Sequence, residues 1–169
     1  FIGIGGIGMS AIAMAFLKKG YSVSGSDLIN NELIKQLKSN GAIIFQSQES
    51  ENINFIQKNY STKKIIVIIS SAIKKTNEEF SYCVKEELTI KHRSDMLSEI
   101  MKDYISIAVA GTHGKTSTST FLSTLLDLCT NDSSSIVGGI QQFYNSNSYI
   151  NETKYLVAEI DESDGSTAN

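Results

Sequence analysis

Two short glycine-bearing stretches constrain this chain more than any other feature. "FIGIGGIGMS" (Phe1–Ser10) and "IAVAGTHGKTSTST" (Ile107–Thr120) each read as an apolar strand, a tight turn and the start of a helix. A strand that passes into a helix through glycines leaves backbone N–H groups free at the helix N-terminus, where the helix dipole favours an anion. The two turns lie about a hundred residues apart, too far to share one strand–helix unit. A chain built this way is α/β, with a parallel sheet behind each turn.

In the first turn Gly3, Gly5 and Gly8 satisfy G-x-G-x-x-G. Gly3 serves the tight turn, Gly5 the close approach of a diphosphate, and Gly8 the close packing of helix on strand. The turn from Gly5 through Gly6 and Ile7 to Gly8 is therefore a candidate diphosphate cradle. Asp27 ends the second strand, "YSVSGSD", near the distance at which an acid takes ribose hydroxyls. NAD and a UDP-linked compound both present ribose and diphosphate, so the motif leaves the base open. "SSAI" places Ser70 and Ser71 at the end of a β-branched strand, on the edge where open α/β sheets bind ligands. Their hydroxyls either meet phosphate or cap the next helix. Arg93 either pairs with a diphosphate or stands in solvent.

The second turn departs from the general G-x-x-x-x-G-K pattern, which needs a glycine where Val109 stands. The shorter loop Gly111-Thr112-His113-Gly114-Lys115-Thr116-Ser117 still has the chemistry of a triphosphate cradle. Gly111 and Gly114 let N–H groups turn inward, Lys115 reaches the outer phosphates, and the Thr116 hydroxyl is placed for Mg²⁺. "VAEIDESDGS" offers a second, anionic metal ligand after an apolar strand. Glu159 and Asp161 fall on the same strand face, so geometry alone does not choose between them.

Strand and helix signals alternate along the whole chain. They predict strands at 1–4, 21–27, 42–45, 63–71 and 88–92, and helices at 7–19, 30–41, 49–59, 76–87 and 94–103. The pattern restarts with a strand at 104–110, a helix at 115–129, a strand or turn at "SIVGG", and a strand at 155–160. "QQFYNSNSYINET" is Asn/Ser-rich and reads as an exposed loop or hairpin. The expected fold is a Rossmann-like parallel-sheet domain over residues 1–102, followed over 103–169 by the start of a P-loop α/β domain. The second domain is expected to be incomplete, and a few residues are expected to precede Phe1.

Bulk properties narrow the function classes. A net charge of -3 gives no reason to expect a nucleic-acid partner, since such proteins usually show a basic face. The apolar run 1–17 is shorter than a membrane span and lacks a basic leader, so no membrane insertion is expected and the cytoplasm is the default location. Cys83 and Cys129 have no metal spacing and read as buried, reduced thiols. The two histidines are too few for a metal cluster.

Taken in order, "GIGGIGMS", "SGSD", "SSAI", "AGTHGKTSTS", "VGG" and "VAEIDESDGS" resemble the Mur ligase family over essentially the whole chain. The resemblance is strongest to the branch that joins L-alanine to UDP-N-acetylmuramate. The branch that recycles murein tripeptide shares GTHGKT but resembles the first-domain motifs less. The resemblance implies that the first cradle takes the UDP diphosphate and not NAD, with Gly5 to Gly8 at the diphosphate and Asp27 at the nucleoside end. It implies ATP on Gly111 to Ser117, Lys115 on the terminal phosphates, and Mg²⁺ between Thr116 and Glu159. It also implies that His113 helps orient substrate or phosphate. UDP-N-acetylmuramate and L-alanine would be the substrates of an ATP-dependent amide ligase. A third domain found in the family is missing here, so the isolated chain is expected to be inactive. An NAD-dependent dehydrogenase explains the first cradle alone, and a two-site regulatory module explains both without catalysis.

Overall fold

The computed structural model describes residues 1–160. The chain runs α1 (Ile7–Lys18), β1 (Ser24–Ser26), α2 (Glu32–Ser39), β2 (Ile43–Phe45), α3 (Ser50–Asn59), β3 (Ile66–Ile69), α4 (Glu78–Lys85), β4 (Thr89–His92) and α5 (Arg93–Met101). It continues through β5 (Ile105–Val109), α6 (Lys115–Thr130), β6 (Ser133–Gln141), β7 (Ser146–Tyr149) and β8 (Tyr155–Glu159).

Helix boundaries follow side-chain caps. Asn31 accepts from Ile34 N at the start of α2, and Asn77 accepts from Phe80 N at the start of α4. Such caps satisfy N–H groups that have no partner within the helix. At α5 the His92 ring accepts from Ser94 N, and the Asp95 carboxylate takes His92 N–H in return. The helix therefore starts one residue before the Ser-Asp signal.

In the first half β1 pairs with β2 and β3 with β4, all parallel. The opening residues 1–4 make only a bridge, Ile2 to Ser26, where a strand is predicted. Ile2 N also donates to Ile68 O at 3.0 Å, so this segment lies between β1 and β3. The spatial order is thus β2, β1, residues 1–4, β3, β4. In the second half the order is β5-β8-β6-β7, with β7 antiparallel to β6 and the other pairs parallel.

α1 joins the halves. Every residue from Met9 to Ala15 is buried, as expected of a helix that is apolar on all sides. Ala13 and Met14 pack with Ile4, Val23, Ile34 and Leu37 of the first half. Met9, Ala11, Ile12 and Ala15 share one core with Ile68, Met96 and Ile100, and also with Ile136, Ile150 and Leu156 of the second half. Strand pairing therefore divides near residue 103, while the core does not.

Two expectations need correction. The Asn/Ser-rich stretch is a hairpin, yet Gln141, Asn147 and Ser148 are buried: Asn147 is bonded to Ile7 and Ser10 of α1, and Gln141 to Ser123 of α6. Cys83 is buried as expected, and desolvation first, then the nearby Glu79 charge, pushes its thiol up to about 11. Cys129 is instead exposed on α6. Among the described residues no helix is long and apolar enough to cross a membrane.

Candidate functional site

The first cradle assembles at the C-terminal ends of the parallel strands, the edge on which open α/β sheets place ligands. Gly3 has φ 78, a conformation that glycine adopts without a Cβ penalty. Its N–H and that of Ile4 both donate to Ser26 O. The next turn is clamped on both sides of one residue. Gly5 N donates to Asp27 Oδ2 at 2.8 Å, and Asn31 Nδ2 donates to Gly5 O at 2.9 Å. A Cβ on Gly5 would lie 2.8 Å from Ile34 Cδ1 and 3.0 Å from Asp27 Oδ2, so the clamp requires glycine. Asp27 Oδ1 takes Ile29 N. The acid expected at the nucleoside end thus holds the loop, with a second lone pair left on each oxygen.

Gly6 is the N-cap of α1 and offers no side chain there. The first-turn N–H groups of the helix therefore face the loop's open side. Ile7 is exposed at this mouth. Arg93, the first residue of α5, reaches the same turn. A Cβ built on Gly8 would fall 2.0 Å from Arg93 Nη1, so the guanidinium lies directly against Gly8. The turn holding Ser70 and Ser71 is adjacent, with Ile73 Cδ1 3.3 Å from a Cβ built on Gly3. Because Asn77 caps α4, the serines do not serve as its cap.

The second cradle follows β5. Gly111 (φ 150) and Gly114 (φ 76) take positive φ, and α6 starts at Lys115. Val109 is the last residue of β5, which makes the loop short. Lys115 Nζ donates to Gly111 O at 2.6 Å, across the mouth of its own loop. Thr112, His113 and Ser117 are exposed around it.

Thr116 and Glu159 come together although 43 residues separate them, with Thr116 Oγ1 donating to Glu159 Oε1 at 3.1 Å. Glu159 ends β8 opposite Val109 of β5, and its Oε2 accepts from Gly138 N at 2.7 Å. A hydroxyl and a carboxylate in contact beside a phosphate loop fit Mg²⁺, which takes hard oxygen donors and few protein ligands. Asp161 lies outside the described residues.

Sequence reasoning gave no role to Asn31 or to the two glycines of "VGG". A Cβ on Gly138 would lie 2.7 Å from Glu159 Oε1, and one on Gly139 would lie 2.9 Å from Thr116 Cγ2. The available signal was a Gly-Gly pair inside a strand, which marks close approach by another group.

A family model described as "Mur ligase family, catalytic domain" matches residues 1–105. The UDP-N-acetylmuramate–L-alanine ligase of Prochlorococcus marinus subsp. pastoris is 63% identical over 169 residues, covering 100% of this chain and 36% of that protein. The crystal structure of UDP-N-acetylmuramate-alanine ligase MurC from Thermotoga maritima superposes with a TM-score of 0.80 at 29% identity, over 96% of this chain and 36% of that one. A murein peptide ligase from Psychrobacter arcticus superposes with a TM-score of 0.81 at 28% identity, over 95% of this chain and 37% of that one. The chain thus spans about a third of the length of the curated relatives it matches.

Proposed function

The chain belongs to the Mur ligase family, and from that premise we propose that the whole protein joins L-alanine to the lactyl carboxylate of UDP-N-acetylmuramate at the expense of ATP, in peptidoglycan precursor synthesis in the cytoplasm. The 63% identity to an alanine ligase supports this branch over tripeptide recycling. The observation that carries the reading is the Thr116–Glu159 pair behind the Gly111–Lys115 loop, on the same chain as a separate diphosphate cradle.

Under this reading residues 1–102 hold the UDP substrate and residues 103–169 begin the ATP site. Gly5, Gly6, Ile7 and Gly8 offer N–H groups to the diphosphate, with Arg93, Ser70 and Ser71 around it. Asp27 keeps the loop in shape and faces the nucleoside end. Gly111 to Ser117 hold the ATP phosphates, and Thr116 and Glu159 hold Mg²⁺. The metal supplies charge neutralisation on the phosphates when bound.

The lactyl carboxylate oxygen attacks the γ-phosphorus and ADP departs, leaving an acyl phosphate. The alanine amine then attacks the acyl carbon, inorganic phosphate leaves, and the nitrogen loses its proton. Lys115 must leave Gly111 O to meet charge that develops on the phosphoryl oxygens. His113, exposed on the loop, is placed to orient phosphate or substrate. The protein's contribution is positioning and electrostatics, with no side-chain nucleophile.

Thermal-shift titration of this chain with UDP-N-acetylmuramate, UDP, NAD and ATP–Mg²⁺ tests the reading. A ligand at about 100 times its Kd stabilises the folded state by about 2.7 kcal/mol. For a chain of this size that is roughly 5–10 °C in Tm. The expected result is a rise with both UDP compounds and none with NAD. A rise with NAD alone would make the first cradle a dinucleotide site and remove the ligase reading.

A further inference from the structure

The helices that leave the two cradles are both latched to one hairpin. On one side, Ser123 Oγ of α6 donates to Gln141 Oε1 at 2.9 Å, and Gln141 Nε2 donates to Ser135 Oγ at 2.8 Å within β6. On the other side, Asn147 of β7 reaches α1. Its Nδ2 donates to Ile7 O at 2.6 Å and to Ser10 Oγ at 2.8 Å, and Ser10 Oγ donates to Ile7 O at 3.0 Å. Asn147 is 2% exposed, so these bonds do not compete with bulk water.

The core that α1 shares with the second half is apolar, with Met9 and Ile12 of α1 in one cluster with Ile136 and Ile150. Apolar surfaces exclude water but set no single register, whereas a buried hydrogen bond is directional and costly to leave unmade. Asn147 acts on the first turn of α1, immediately after Gly6. Its strand pairs with β6 across an irregularity between Ile136 and Gln141. That interval holds Gly138 and Gly139, which lie against Glu159 and Thr116.

We propose that Asn147 is a positioning residue that sets the spacing between the two cradles, so that a carboxylate carried by the first ligand meets the terminal phosphate of the second. The role rests on the ligase reading above. Asn147 bonds to the Ile7 carbonyl and not to the N–H groups proposed to meet the diphosphate, so its loss should spare each binding step and impair the step that needs both.

The test uses the full-length ligase with Asn147→Ala and, as a milder variant, Ser10→Ala, which removes one of the two acceptors. Three quantities are measured: separate dissociation constants for UDP-N-acetylmuramate and ATP, kcat with L-alanine, and the distance distribution between spin labels at exposed Lys38 and Cys129. The labels are introduced as unnatural residues so that other thiols do not interfere. A misplacement of about 1 Å can cost about 100-fold in rate. The expected result for Asn147→Ala is a kcat lower by about 10–100-fold, dissociation constants within about threefold, and a broadened label distance. Ser10→Ala should fall between it and wild type, and keeps the proposal testable where Asn147→Ala does not fold. An unchanged label distance, or a loss of kcat matched by equal losses of both affinities, overturns the proposal. A wild-type enzyme that forms no product with L-alanine sinks the ligase reading alone, because the label distance decides the latch without turnover.

Discussion

Gly8 shows how a single missing side chain separates folding from binding. A Cβ there would collide with Arg93 Nη1 at 2.0 Å, but the obstacle is the tip of a long, flexible side chain. Displacing it forfeits the interaction Arg93 makes, a loss offset in part because alanine is the better helix former by roughly 1 kcal/mol. Gly8→Ala should therefore leave Tm within a few degrees of wild type. The displaced guanidinium would no longer sit against the first turn of α1, where the diphosphate is proposed to bind. A hydrogen bond to a charged group contributes about 1.5–3 kcal/mol, so affinity for UDP-N-acetylmuramate should fall by about 10–100-fold. Calorimetric titration of the variant checks this, and an unchanged affinity would place Arg93 outside the diphosphate site. Gly138 has the same relation to Glu159 in the second cradle. At both sites glycine makes room for a side chain with a proposed ligand role, Arg93 in the first cradle and Glu159 in the second.

At the scale of elements, the same probe gives the opposite result. A Cβ on Gly25 of β1 would lie 2.8 Å from Ile4 Cβ and 2.8 Å from Phe1 O, atoms of a segment held between two strands. Neither can turn away, so Gly25→Ala must separate β1 from residues 1–4. Overpacking of this kind costs about 1–3 kcal/mol, or roughly 2–12 °C in Tm for a chain of this length. A thermal melt of the variant reads it directly, and a shift under 1 °C would mean that residues 1–4 do not sit against β1. Sequence could not reveal this tightness, since "SGS" reads as a weak strand and the pressure on it comes from outside. Local chemistry was readable: α1, α2, α3 and α6 start within two residues of their predicted positions, because caps and glycine turns act over three or four residues. Strand ends were read too long: of 63–71 only Ile66–Ile69 pairs, because Lys63, Lys64, Ser70 and Ser71 flank the apolar run without extending it. Asn31 and Asn147 were missed for a shared reason. Their partners, Gly5 and Ile7, are 26 and 140 residues away in sequence, so neither the helix read at 30–41 nor the exposed loop or hairpin read around Asn147 gave any sign of them.

For the whole molecule the decisive fact is that one core serves both cradles. Ile12 is 2% exposed and packs in a cluster that contains Ile68 and Ile100 from the first half and Ile136 and Leu156 from the second. Two sheets with separate cores could open independently, whereas sheets that bury opposite sides of one helix lose that helix together. This chain should therefore melt in a single calorimetric transition. Ile12→Ala removes three buried carbons at the junction, a change that costs about 2–5 kcal/mol. It should lower that single transition by roughly 4–20 °C without splitting it. Calorimetry of wild type and variant distinguishes the alternatives. Two resolved transitions, with only the lower one moved by Ile12→Ala, would mean that the halves fold separately. One transition moved as a unit would have a consequence for ligands as well. A molecule bound at either cradle would then stabilise the other half, because stabilisation by binding is shared by everything that unfolds with the site. ATP–Mg²⁺ should in that case slow amide exchange in β1 and α2, on the far side of α1 from its own loop.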